Sequence, residues 1–152
     1  RGRVYPPGPR LCDMVSRVLV PMDDSEMADA ALEFALSAFP SAAVTVLHVA
    51  GGPTSYMGEA MSLAVADDVD AAVADRAEPV FERARAIADD ADREITTEIE
   101  LGSPAKTIIN HAEGFDLVVI GSHSSNLASR LLLGNVAETV ARNAPVPVTI
   151  VR

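Results

Sequence analysis

Short apolar runs alternate with helix-patterned segments along most of this chain. The first run, Val15 to Met22, is rich in β-branched residues, as is typical of a strand buried on both faces of a sheet. From Glu26 to Phe39 the apolar residues recur at helical spacing, and Pro40 ends that segment. A second strand is predicted from Ala43 to Val49, and a long helix from Leu63 to Ala91. This alternation is typical of proteins in which helices connect parallel strands.

The third predicted strand, Arg93 to Leu101, differs because its apolar and polar residues alternate, which indicates an outer strand with one face in water. The pattern then predicts a helix from Pro104 to Gly114, a strand from Phe115 to Ile120, a helix from Asn135 to Asn143 and a last strand from Val146 to Val151. We therefore predict an α/β fold, a doubly wound five-stranded parallel sheet with helices on both faces and strand order 3-2-1-4-5.

In such a sheet the strand order reverses beside the first strand, and ligands bind there, beyond the carboxyl ends of the strands. The topology would bring Asp23 and Gly121 together at this point, although they are distant in sequence. Four segments are expected to line the resulting crevice, and we predict that their binding residues are Pro21, Met22, Asp23 and Ser25; Val49; Ile120, Gly121, His123 and Ser124; and Gly134, Asn135, Val136 and Ala137.

The chemistry of these residues suits a nucleotide. The apolar side chains can hold a flat base, and Asp23 can accept hydrogen bonds from a ribose or a base. The loop between Gly121 and Gly134 offers backbone N–H groups beside the start of a helix, where an anion such as phosphate is favoured. Arg130, the only basic side chain of that loop, can pair with a phosphate or with a carboxylate.

Purely structural roles stay open for the same residues. The loop can be a surface turn that is rich in Ser and Asn, as turns are. Asp23 can cap the first helix. Asn135, followed three residues later by Glu138, resembles a capping box at the start of the last helix.

Composition narrows the classes of partner. The 152 residues carry a formal net charge of −10, and Lys106 is the only lysine. Such a surface repels nucleic-acid backbones and anionic membranes, so we expect neither as a partner. An acidic excess with so little lysine resembles the proteins of salt-loving microbes. With one cysteine, Cys12, and no apolar run of membrane-spanning length, we expect a cytoplasmic protein without an intrachain disulfide.

Residues 1–13, RGRVYPPGPRLCD, have a different character, since they are rich in Arg and Pro and lack periodicity. We expect them to form a disordered arm, or to be a segment that was added ahead of a natural start near Met14. Residues 14–152 are expected to form a single domain.

Four segments resemble the universal stress protein family: VLVPMDDSE in the first strand, VTVLHV in the second, LGSPAKTII before the third helix, and everything from Asp116 to Arg152. The resemblance implies an adenine nucleotide alpha hydrolase-like fold. It also implies that the ligand is an adenine nucleotide, ATP or AMP, with or without Mg²⁺, and that the protein is a sensor or switch in a stress response. In this family the last strand pairs with its copy in a second chain, which implies a homodimer through Val146 to Val151.

In ATP-binding members of that family the loop reads Gly, two residues, Gly, nine residues, Gly, then Ser or Thr. Here the corresponding residues are Gly121, Ser124, Gly134 and Asn135, and Ser125 stands where many members have Arg. These departures imply weaker phosphate binding. The alternative function is a dimeric stress protein that binds no nucleotide and acts as an interaction module. We see no nucleophile paired with a base and predict no catalytic residues, no metal ligands and at most slow ATP hydrolysis.

Overall fold

The computed structural model describes residues 8–51, 66–122 and 134–152. A five-stranded parallel sheet in the order β3-β2-β1-β4-β5 forms its centre, so the predicted sheet and its strand order are confirmed. In chain order the elements are α1 (Leu11–Met14), β1 (Arg17–Pro21), α2 (Glu26–Ala38), β2 (Ala43–Ala50), α3 (Ala66–Asp90), β3 (Ile95–Leu101), α4 (Pro104–His111) with a 3-10 turn (Ala112–Gly114), β4 (Leu117–Gly121), α5 (Asn135–Asn143) and β5 (Val148–Val151).

The two faces of the sheet carry separate apolar cores. Successive side chains of a strand point to opposite faces. Val18 and Val20 therefore pack with α2 and α3 on one face, whereas Leu19 packs with α4 and α5 on the other. All three side chains are fully buried. Helices thus cover both faces, as a continuous apolar strand predicts.

Most predicted boundaries agree with the structure to within a few residues. The last helix has the predicted bounds, α3 continues through Pro79, and β5 begins two residues later than predicted, at Val148. The predicted start of the long helix at Leu63 lies outside the described residues. Of the predicted arm, residues 8–13 are described, and Cys12 in α1 packs partly buried against the core. None of the helices in the described ranges is long and apolar enough to cross a membrane.

Two of the proposed helix caps are wrong. The N-cap of α2 is Ser25, whose Oγ accepts a hydrogen bond from the N–H of Ala28 at 3.2 Å. Asp23 stands before the cap, and its Oδ1 accepts the N–H of Ser25 at 3.0 Å. The N-cap of α5 is Gly134, so Asn135 is the first helical residue and no capping box forms there. In each case the N-cap lies one or two residues away from the residue whose chemistry suggested a cap.

Candidate functional site

The two central strands part at their carboxyl ends. Strand β1 pairs with β2 along its whole length, from Arg17 to Pro21. Its pairing with β4 is limited to Val18 with Leu117 and Leu19 with Val118, although β4 continues to Gly121. The sheet therefore opens where its strand order reverses, which is the place that the topology predicts for a ligand.

A cavity of about 330 Å³ lies at this opening. Its walls combine apolar side chains with a few polar groups, which is the usual character of a small-molecule site. The described residues that line it are Pro21, Met22, Asp23, Ala28, Leu47, Val49, Pro104, Ile108, Ile120, Gly121, Ser122, Gly134, Asn135, Val136 and Ala137.

Most of the predicted site residues are brought together in this lining. They are Pro21, Met22 and Asp23 from β1 and its end, Val49 from β2, Ile120 and Gly121 from β4, and Gly134, Asn135, Val136 and Ala137 from the start of α5. Ser25 is not among them, because it caps α2 instead. His123, Ser124 and Arg130 lie outside the described residues.

Five lining residues were not among the predicted binding residues: Ala28, Leu47, Pro104, Ile108, and Ser122, which stands between the predicted Gly121 and His123. Leu47 could have been found, because it stands two residues before Val49 and therefore shares its face of the strand. Pro104 and Ile108 stand one helical turn apart in α4. Nothing in their own segment indicates that α4 closes one side of the crevice, since this depends on how the helix packs on the sheet.

Ser122 joins the two ends of the loop that follows β4. Its Oγ accepts the N–H of Gly134 at 3.0 Å, and its own N–H donates to the carbonyl of Val151 at 2.8 Å. The start of α5 is thereby held against the end of β4. The next N–H groups of α5, at Asn135, Val136 and Ala137, have no acceptor inside their helix, so this wall of the cavity presents donors and the positive end of the helix dipole.

Gly121 occupies a position without room for a side chain. A Cβ atom built there would lie 2.3 Å from the carbonyl oxygen of Met27 and 2.8 Å from the nitrogen of Ala28. Both are main-chain atoms of α2, which therefore crosses directly over the end of β4. Glycine is required at this position by helix packing, whether or not a ligand is bound.

The connection from β1 to α2, which carries Asp23, is anchored on both sides. The carbonyl of Met22 accepts a hydrogen bond from Nδ1 of His48 at 2.9 Å, which fixes the ring hydrogen on Nδ1. Nη1 of Arg83 donates to the carbonyl of Asp24 at 3.1 Å. Asp23 is therefore held between two fixed main-chain groups.

Arg83 lies among the carboxylates of this region. Its Nη2 forms an ion pair with Asp29 in the first turn of α2. The hydrogen bond to Asp29 raises the pKa of Arg83, and the negative charges of Asp29, Asp24 and Asp23 act in the same direction, against an opposing effect of partial burial. The guanidinium of Arg83 therefore stays charged at every pH at which the protein is folded.

The described part of the chain contains no group of three or more His, Cys, Asp or Glu arranged to hold a metal ion. Asp23 is the one carboxylate in the described lining of the cavity. Of the described residues, Asp23 alone could therefore offer a carboxylate to a magnesium ion carried in with a nucleotide, and Mg²⁺ bound through phosphates commonly uses no more than one or two.

Comparisons with known proteins agree on one family. Residues 14–152 match the model of the universal stress protein family. Stress response protein NhaX of Bacillus subtilis (strain 168) is 29% identical over 162 aligned positions, which cover 90% of this chain and 97% of that protein. Universal stress protein UspA from Lactobacillus plantarum has a TM-score of 0.71 at 28% identity, covering 91% of this chain and 98% of its own. A universal stress protein in complex with cAMP has a TM-score of 0.68 at 25% identity, and the alignment covers 91% of this chain and 97% of that protein.

Proposed function

Because this chain belongs to the universal stress protein family, we propose that it binds an adenine nucleotide, ATP or AMP, as a sensor or switch in a stress response. The observation that carries the proposal is the cavity at the parting of β1 and β4, which places an apolar wall, a carboxylate and a helix N-terminus around one space. A relative with the same fold was solved in complex with cAMP, which supports an adenine nucleotide as the class of ligand.

The apolar wall suits the base. Leu47 and Ile108 are buried, and together with Val49 and Ile120 they belong to the core that faces α4 and α5. A planar ring that enters between these side chains would bury its faces against carbon atoms, which is favourable by about 25 cal/mol per Å² of apolar surface. These four residues come from β2, β4 and α4, so the base would contact both sides of the opening.

The polar groups suit the ribose and the phosphate. Oδ1 of Asp23 accepts the N–H of Ser25, and a carboxylate is the type of group that accepts hydrogen bonds from ribose hydroxyls. Across the cavity, the first turn of α5 offers N–H donors that favour an anion. Among the described lining residues, the groups that can hold a phosphate are therefore main-chain donors and the positive end of the helix dipole. The pairing of Arg130 with a phosphate stays a prediction, because that residue lies outside the described residues.

Titration calorimetry with AMP and with ATP, each with Mg²⁺ and with EDTA, tests the proposal. We expect a binding heat in matched salt and an increase in thermal stability, which at a ligand concentration of 100 Kd corresponds to about 2.7 kcal/mol. The absence of both effects at millimolar nucleotide would contradict nucleotide binding. Chromatography of the nucleotides after incubation shows in the same samples whether ATP is hydrolysed.

A second function, a dimeric interaction module, is favoured by the open edge of β5. Every residue from Val148 to Val151 is partly exposed, and β5 pairs only with β4 among the described strands. Pro147 and Val151 direct their carbonyls to β4, so Val148 and Ile150 direct their N–H and C=O groups to the open edge. We propose that this edge, from Val146 to Val151, pairs with its copy in a second chain. Dimerisation is compatible with nucleotide binding.

Val148→Pro is expected to convert the dimer to a monomer, because proline removes an outward N–H and leaves the bonds to β4 intact. Light scattering should give twice the chain mass of 15.9 kDa for the unchanged protein and the single mass for the variant. Urea unfolding of the variant controls for loss of the fold. A monomeric unchanged protein at working concentration, or a dimeric Val148→Pro variant, would contradict pairing through β5.

A further inference from the structure

We propose that Arg83 is a positioning residue of the nucleotide site, which holds the β1–α2 connection so that Asp23 faces the cavity. This inference rests on the function proposed above. Arg83 does not line the cavity, so its role is to fix the residue that does.

The guanidinium of Arg83 forms hydrogen bonds on both sides of Ser25, the N-cap of α2. Nη1 of Arg83 donates to the carbonyl of Asp24, directly before Ser25, and Nη2 pairs with the carboxylate of Asp29, one turn into the helix. A planar fork with fixed donors can hold two such acceptors in a set geometry, which a single ammonium group cannot. The entry of the chain into α2 is therefore defined by a side chain that reaches over from α3.

The pair with Asp29 is more than an exposed surface contact. Only 24% of the Asp29 side chain is exposed, and its Oδ1 is buried without a hydrogen-bond partner among the described residues. Removing the cation would leave this carboxylate partly buried and unpaired, close to Asp23 and Asp24. We expect the loop to move in order to separate and hydrate these charges.

The other side of Asp23 is supported by the same helix. Phe81 of α3 packs edge-on against the ring of His48, with centroids 6.3 Å apart and an interplanar angle of 85°. His48 in turn donates to the carbonyl of Met22. Helix α3 therefore reaches the main chain on both sides of Asp23, directly through Arg83 and indirectly through His48.

Calorimetry with AMP on three variants tests the role of Arg83. We expect Arg83→Gln to weaken AMP binding about tenfold and Arg83→Lys to weaken it nearly as much, because the lysine keeps the charge but loses the fork. Arg85→Gln is the matched control, since Arg85 lies on the same helix, pairs with Glu78 in solvent and should bind AMP within about twofold of the unchanged protein. If Arg83→Lys binds like the unchanged protein, or if Arg83→Gln binds like Arg85→Gln, the inference is wrong.

A double-mutant cycle with Asp23 separates positioning from a general loss of stability. In an Asp23→Ala background, Arg83→Gln should cause little further loss of AMP affinity, because the residue that it positions is already gone. The full tenfold loss in that background would overturn the inference. Urea unfolding measures the stability of every variant, so that the titrations can be carried out under conditions in which each is folded.

Hydrogen exchange in the absence of ligand provides a readout that does not depend on nucleotide binding. The N–H of Ser25 donates to Asp23, so its exchange should be faster in Arg83→Gln and unchanged in Arg85→Gln. If the unchanged protein fails to bind AMP but this difference is seen, the proposed function has failed and the anchoring by Arg83 stands. If the Ser25 amide exchanges equally in both variants, the inference about Arg83 has failed.

Discussion

Replacing Gly121 with alanine is expected to lower the free energy of unfolding by about 3 kcal/mol, the upper end of the range for overpacked sites. The added Cβ would lie 2.3 Å from the carbonyl oxygen and 2.4 Å from the carbonyl carbon of Met27. These are main-chain atoms, so no rotation of a side chain can relieve the contact. Helix α2 would have to move away from β4, and buried residues such as Leu32 would lose packing on the sheet.

Gly114→Ala is the matched control for this change. A Cβ atom at Gly114 meets nothing within 4 Å, so its effect should stay within about 0.5 kcal/mol. Urea unfolding of both variants measures the difference. Equal stabilities for the two would show that the close approach of α2 to Gly121 does not exist in solution.

The position of Gly121 changes the meaning of the glycine motif. Gly121 is the first glycine of the pattern found in ATP-binding relatives, yet the packing of α2 accounts for it without a phosphate. Its presence therefore does not distinguish a nucleotide-binding protein from an interaction module. The distinction depends on the cavity itself, and on whether a nucleotide enters it.

Val49→Trp is expected to lower AMP affinity by about 100-fold or more, because the indole would occupy the space assigned to the base. Val49 lies near the carboxyl end of β2, is partly exposed and packs with the buried residues of the cavity wall. A larger side chain can therefore extend into the opening without displacing a fully buried residue. Calorimetry with AMP measures the loss.

Leu101→Trp controls for the introduction of an indole at the same end of the sheet. Leu101 is 54% exposed at the end of β3 and does not line the cavity, so AMP affinity should be unchanged. The chain has no tryptophan, so the fluorescence of each variant reports the environment of a single indole. A buried indole in Val49→Trp together with undiminished AMP binding would place the nucleotide elsewhere.

The strand order could be predicted from the sequence because inner strands and edge strands have different hydrophobic patterns. Continuous apolar runs identify β1, β2 and β4 as inner strands, and the alternation in β3 identifies an edge. Once the order is known, the place of the opening follows, and with it Asp23 and Gly121. The hydrophobic pattern predicts the topology, and the topology determines the position of these two residues.

The remaining parts of the site depend on distances that no pattern records. Ile108 reads as an ordinary core residue of α4, and only the packing of that helix places it in the cavity wall. Arg83 reads as a solvated charge on a long acidic helix, since its partners Asp24 and Asp29 are more than fifty residues away. Asp23 and Asn135 have the chemistry of N-cap residues, but the N-caps are Ser25 and Gly134, because helix ends follow tertiary packing as well as local preference.

The short pairing between β1 and β4 has a mechanical consequence. Hydrogen bonds that would join the two halves of the sheet are missing beyond Leu19 and Val118, and α2 bridges the gap by packing on both strands. A molecule bound there would touch β1 on one side and β4 on the other, and would act as a crosslink between the halves. Its release should therefore leave the two halves joined by the short β1–β4 pairing and by the packing of α2.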